Sequence, residues 1–126
     1  MMEIIIVVVM LGIMAALAIP LVLAPRERVI ASEATQNLTA LLGAQKRYAS
    51  ENSGSYSAGD CSALDISIPA SVNFNPPSCL NNTAPNPVAS IVRNTGAYTL
   101  GIDENGVITC SGTCTGVCKG GGTQCN

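Results

Sequence analysis

The sequence predicts an α+β protein: one long N-terminal helix over residues 1–52, packed on a small antiparallel sheet, with a C-terminal loop that disulfides close. Three observations predict it. The chain opens with an uncharged apolar run from Ile4 to Ala24 behind a single acid, Glu3. Apolar residues then recur at spacings of three and four as far as Tyr48, the period of one helix face. In the second half, short β-prone runs alternate with turn signals, and five of the six cysteines lie there.

Residues 1–25 are the hydrophobic half of the helix. At about 1.5 Å per residue, the run 4–24 is long enough to span a bilayer. A cleaved secretory signal fits it poorly: an acid stands where a basic n-region belongs, and the run is too long. Gly12 and Pro20 interrupt it, the glycine by weakening the helix and the proline by removing a hydrogen bond, and Pro25 adds a break at the exit. Over residues 26–52 the helix turns amphipathic. Val29, Ile30, Ala34, Leu38, Leu41, Leu42, Gln45 and Tyr48 fall near one stripe, while Arg28, Glu33, Gln36, Lys46 and Arg47 lie mostly elsewhere. Ser53-Gly54 ends it, giving a helix roughly 75 Å long.

Residues 53–87 contain Pro69, Pro76, Pro77, Pro85 and Pro87 and read as an ordered loop with short pieces of structure. A sheet over residues 88–110 follows, with strands expected at Val88–Arg93, Ala97–Ile102 and Val107–Cys110. Asp103-Glu104-Asn105-Gly106 is the hairpin turn, with Asn-Gly supplying positive φ. Residues 111–126 are rich in Gly, Thr and Cys and read as a disulfide-pinned loop. Residues 26–126 therefore form a head, and residues 1–25 a bare rod projecting from it.

Cys61, Cys79, Cys110, Cys114, Cys118 and Cys125 form an even set in a small polar domain, the pattern of disulfides made outside the cytoplasm. Six cysteines allow about fifteen pairings; the expected one is Cys61–Cys79, Cys110–Cys118 and Cys114–Cys125. The four-residue recurrence of Cys110, Cys114 and Cys118 raises a metal site as the alternative, but there is no histidine and the spacing follows no zinc or iron–sulfur pattern. No metal or other cofactor is expected. The net charge is −2 with no basic cluster beyond Arg26/Arg28 and Lys46/Arg47, so no nucleic-acid surface is expected. Nothing resembles a nucleophile–base pair or a phosphate loop, so an enzyme is not expected. The four aromatics all lie at or after Tyr48, too few for a conducting ladder. Asn37-Leu38-Thr39 and Asn81-Asn82-Thr83 match glycosylation sequons.

The N-terminus, Glu3-Ile4-Ile5-Ile6-Val7-Val8-Val9, then Gly12-Ile13, then Ala15-Ala16-Leu17-Ala18-Ile19-Pro20, resembles a type IV pilin in the spacing of its acid, glycine and proline. The likeness continues in style through Ala31-Ser32-Glu33-Ala34, Ala44-Gln45-Lys46-Arg47-Tyr48 and Gly54-Ser55-Tyr56, and is architectural beyond that. It implies a structural subunit of an extracellular type IV pilus serving adhesion, motility or DNA uptake. The subunit would be anchored in the inner membrane before assembly, processed by a prepilin peptidase and polymerised with identical copies by the pilus machinery. In the family, the acid at the position of Glu3 pairs with the N-terminal ammonium of an adjacent subunit. The segment marked by Gly12 and Pro20 loses helicity on assembly. Only Met1 and Met2 precede Glu3, two residues fewer than the family pattern, and its leader and basic-Gly processing site are missing. The resemblance therefore places the mature start two residues upstream, with Met1 where the family often has Leu.

Two other readings stand beside this one. A pseudopilin of a type II secretion system would share the helix, but that class is usually poor in cysteine and its major member carries a calcium loop. A non-polymerising, single-pass anchored binding domain would gain nothing from Glu3, because a carboxylate at the edge of an apolar helix is expensive to bury unpaired.

Overall fold

The computed structural model describes residues 1–80, 87–119 and 123–125, with the side chains of residues 18–25 outside that description. Helix α1 spans Met2–Glu51. It closes on Asn52, whose backbone N–H donates to the Tyr48 carbonyl at 3.0 Å and whose side-chain amide donates to the same oxygen at 2.9 Å. The second half of α1 buries Ala31, Ala34, Leu38, Leu41, Leu42, Ala44, Gln45 and Ala49, with Ile30 and Tyr48 packed at the margin. Val29 corrects the expected stripe, since it is 69% exposed. At about 3.6 residues per turn it falls nearly opposite the line Ala34–Leu38–Leu41–Gln45 that faces the head.

The sheet is an antiparallel meander of β1 (Ser78–Cys79), β2 (Ala89–Val92), β3 (Tyr98–Ile102) and β4 (Ile108–Gly112), in the order β1-β2-β3-β4. Helix α1 packs on β2 and β3. Alternation decides what faces it: Ala89, Ile91, Tyr98, Leu100, Ile102, Ile108 and Cys110 are buried. Register pairs Ile91 with Leu100, Leu100 with Cys110 and Ile102 with Ile108. Leu38, Leu41, Phe74, Ile91, Leu100 and Ile102 are essentially inaccessible. Burying each such side chain contributes about 1.5–3 kcal/mol. Among them sits Gln45, also inaccessible. Its Nε2 donates to the Ser57 carbonyl at 2.8 Å and to that of Val88 at 3.4 Å, and its Oε1 accepts from the Ser57 N–H at 2.9 Å.

One of the short pieces of structure expected within 53–87 is a strand: β1 directly follows Pro76-Pro77 and pairs Ser78 with Ser90 and Cys79 with Ala89. Strand β4 runs on through Gly112, into the expected C-terminal loop. Gly112 has φ of 100°, and a Cβ there would stand 2.7 Å from the Ala97 carbonyl oxygen, so the end of β4 approaches β3 as only glycine allows. The hairpin at Asp103–Gly106 forms as expected, but only Gly106 (φ 86°) takes the left-handed conformation. Asp103 replaces the rest of that role: its Oδ1 accepts from the N–H groups of Asn105 and Val107 at 2.9 and 2.7 Å.

Both margins of the sheet are occupied. Gly59 and Cys79 exchange backbone hydrogen bonds of 2.8 and 2.9 Å outside β1. Outside β4, Cys110 N–H donates to the Thr123 carbonyl at 2.6 Å and Cys125 N–H to that of Ile108 at 2.8 Å. That course of the tail sets the disulfides. Cys61–Cys79 forms as expected, but the other two are Cys110–Cys114 and Cys118–Cys125, not Cys110–Cys118 and Cys114–Cys125. The chain reverses at once after β4, with Thr113 N–H on the Ala97 carbonyl, and brings Cys114 back to Cys110 at a Cα separation of 6.0 Å. The return of residues 123–125 along β4 places Cys125 within 4.4 Å of Cys118, Cα to Cα.

Candidate functional site

Residues 1–17 of the chain, the described side chains of the first half of α1, are all exposed. Every large apolar side chain from Ile4 to Leu17 is more than half exposed, the least being Val9 at 54%. Apolar surface exposed on every side of a rod is far more than scattered surface residues explain, and it marks a surface that something else covers. The residue types agree. Six of the first nine residues are β-branched and gain little from a helix in water, whereas an apolar surrounding obliges the backbone to satisfy itself within the helix. Glu3 stands exposed at the start of this rod and makes no ion pair among the described residues. Gly12 is helical, with open space where a Cβ would stand. Pro20 falls within residues 18–25, whose side chains are not described. Among the described residues no helix is long and apolar enough to cross a membrane; the described side chains of the apolar run stop at Leu17.

The head grips the helix where the rod begins. Arg93 Nη2 lies 3.5 Å from Glu27 Oε1, and its Nη1 donates to the backbone carbonyl and Oδ1 of Asn73 at 2.8 and 3.1 Å. The guanidinium also lies over the Phe74 ring, 5.5 Å from its centroid. Tyr98 packs edge-on against Phe74 and donates its hydroxyl to Glu27 Oε2 at 3.4 Å. Asn73 Nδ2 donates to Glu33 Oε2 at 3.2 Å, one turn and a half further along the helix. Nothing local in the sequence signals this clamp, because its members come from α1, the loop before β1, the residue after β2 and β3.

Burial, reinforced by the Glu27 carboxylate, pushes the Tyr98 phenol up to about 12. The ordinary value is 10.0, so the folded protein holds that proton more tightly than the unfolded chain does. The resulting stability is complete below pH 10 and is lost as pH rises toward 12. Thermal melts across that window are expected to show a steeper alkaline loss for the native head than for Tyr98→Phe. Parallel curves would remove Tyr98 from the clamp's energetics.

A cleft of about 480 Å³ opens between residues 60–68 and Pro76-Pro77 and exposes Asp60, Ser62, Asp65 and Ser67 over a floor of Leu41 and Leu64. Hydrogen bonds from Ser62 hold Asp60 below the usual carboxylate range. Asp65 is held low by its two hydrogen bonds from Arg47, each 2.9 Å long. Both acids are therefore ionised at neutral pH, the opposite of what a general acid requires. Among the described residues no cluster of three or more His, Cys, Asp or Glu is arranged to hold a metal ion. All six cysteines are paired. The sequon at Asn81 lies outside the described residues. Comparison with protein-family models, with curated proteins and with solved structures finds no match for this chain.

Proposed function

We propose that this chain is a pilin, a structural subunit that polymerises into an extracellular type IV pilus. The observation that carries the reading is the rod: a helix apolar and exposed on all sides, continuous with a small disulfide-bonded head. Such a helix needs an apolar partner along its whole length. Lipid serves before assembly, with the subunit held in the inner membrane, and identical helices serve afterwards. At about 25 cal/mol per Å² of apolar area removed from water, bundled rods hold the fibre together while the heads form its wall.

Glu3 supports the same reading. In the single chain it has no partner among the described residues, and an apolar bundle would make an unpaired carboxylate costly. The N-terminal ammonium of an adjacent subunit supplies the countercharge. Desolvation offsets much of the attraction, so the pair serves to set register more than to add stability. Gly12 and Pro20 bound the stretch where the helix loosens in the assembled fibre. Prepilin peptidase and the pilus assembly machinery are the partners this route requires. Adhesion, surface motility or DNA uptake is the work the fibre does.

Electron cryo-microscopy of fibres sheared from producing cells tests the proposal. The expected result is a thin helical fibre whose core accommodates residues 3–24, with Glu3 beside a neighbour's N-terminus. A protein found only as a membrane-bound monomer would overturn it.

A further inference from the structure

Resting on the membrane-anchored stage of the filament reading, we propose that the head docks on the lipid surface, with Val29 and Val72 set among the headgroups and Arg26 and Arg28 meeting lipid phosphates. Beyond residue 25, Val29 and Val72 are the large apolar side chains that stand exposed among the described residues, at 69% and 94%. They come from distant parts of the chain and sit close together. Val29 lies one turn before Glu33 on the same face of α1. Glu33 accepts a hydrogen bond from Asn73, the residue next to Val72. The exposed apolar bulk of the head is thus gathered at the end from which the rod leaves.

Val72 is held out into solvent by its neighbours. Ser71 Oγ accepts from the N–H groups of Asn73 and Phe74 at 3.2 and 3.1 Å, and Ser71 N–H donates to the Phe74 carbonyl at 2.9 Å. Asn94 Nδ2 donates to the carbonyls of Ser71 and Val72 at 3.1 and 2.8 Å. Phe74, two residues on, is buried in the core. An apolar tip fixed in this way has little freedom left to lose on binding.

Charge and level select the occupant. Arg26 and Arg28 are exposed and have no ion pair among the described residues. They lie on opposite sides of α1, Arg26 on the side of Val29, so headgroups surrounding the helix meet a guanidinium either way. Arg93 already answers Glu27, which leaves Glu33 as the one acid here without an ion pair among the described residues, against these two arginines. Attraction to anionic lipid adds to buried apolar area in surface binding of this kind. Val29 stands five residues past Ala24, roughly 8 Å beyond the apolar run and so at headgroup level. The loop of Val72 shares that level, because Arg93 and Asn73 tie it to Glu27 and Glu33. A helix tilt of about 20°, usual in bilayers, brings the Val72 side of the head onto the surface.

The chain has no tryptophan, so a single one reports its own surroundings. The test places one at a time in the full chain, in vesicles of phosphatidylethanolamine and phosphatidylglycerol whose brominated acyl chains quench nearby tryptophan. Met14→Trp probes the rod, and Val72→Trp the proposed contact. Asn105→Trp probes the turn whose Gly106 lies beside Leu42, roughly 27 Å beyond the apolar run. Met14→Trp is expected to be quenched and Asn105→Trp to be unaffected. Val72→Trp, set about 5–10 Å into the headgroup–acyl boundary, is expected to lose about half its emission. Adding Arg26→Gln/Arg28→Gln is expected to remove most of the quenching at Val72→Trp and none at Met14→Trp. Val72→Trp quenched no more than Asn105→Trp overturns the docking while leaving the membrane stage intact. So does a blue-shifted but unquenched Val72→Trp, which shows that another copy covers the site. Quenching indifferent to the arginine changes overturns the arginines' part. An unquenched Met14→Trp overturns the membrane stage and this proposal with it.

Discussion

A chain carrying Val8→Lys is expected to fold its head normally and to yield no fibres. Val8 is 62% exposed and lies on the part of α1 that the head never touches, so the substitution removes no contact from the folded domain. In a bundle of rods the same position would be enclosed by apolar side chains from several copies. A lysine at the centre of an apolar helix costs on the order of 3 kcal/mol even in membrane insertion, where it can reach toward water. In the proposed fibre that penalty would repeat at every subunit. Val8→Leu, similar in size and equally apolar, is expected to assemble like the native chain. Fibre mass by electron microscopy, the head's melting midpoint and the amount of protein in the membrane fraction separate the possible causes. Abundant fibres from the lysine variant would mean that the rods do not form the fibre's interior.

The largest loss of stability from a single buried side chain is expected at Gln45. Replacing it with Leu keeps the volume but strands the N–H and carbonyl of Ser57, a residue 5% exposed. Each stranded group costs about 1–3 kcal/mol, so the variant should lose roughly 2–6 kcal/mol in total. Val88 suffers less, because its carbonyl also accepts from the Leu80 N–H at 2.9 Å. Gln45→Glu discriminates further. A carboxylate could still accept from Ser57 but would face two carbonyl oxygens, so burial and these neighbours would raise its pKa above the ordinary value of about 4.3. Its folded state then binds the proton more tightly than its unfolded state, and the variant should gain stability as pH falls toward that range and lose it as pH rises. Chemical denaturation of the oxidised protein at neutral and mildly acid pH measures both effects. A Leu variant as stable as the native protein would show that Ser57 finds other partners.

The long helix was legible because its signals were local and repeated: an uninterrupted apolar run, then spacing of three and four. The sheet was legible at β2, β3 and β4, where β-branched residues alternate between turns. Val29 was misread because hydrophobicity alone does not fix helix phase; the head chooses the buried line, and Val29 lies across from it. Strand β1 is two residues long beside a pair of prolines, too short for any periodicity to register. The disulfides of the tail depend on a reversal after β4 and on a return along that strand, both fixed by tertiary hydrogen bonds rather than by cysteine spacing. Of the candidate site, the rod and Glu3 stood out in the sequence. The Arg93 clamp did not, since a lone arginine after a strand says nothing until Glu27 and Asn73 are brought to it.

The occupied margins of the sheet bear on how copies of the head meet one another. An open strand is a template for further strands, and a protein at high local concentration is at risk of joining by that route. Here Gly59 caps one side, and the returning residues 123–125 cap the other, anchored through Cys125 to Cys118. Oxidation is therefore a safeguard on the mode of association as well as a source of stability. With that bond reduced, only the backbone hydrogen bonds of residues 123–125 hold the cover on β4, and its edge is expected to open more readily to pairing with further strands.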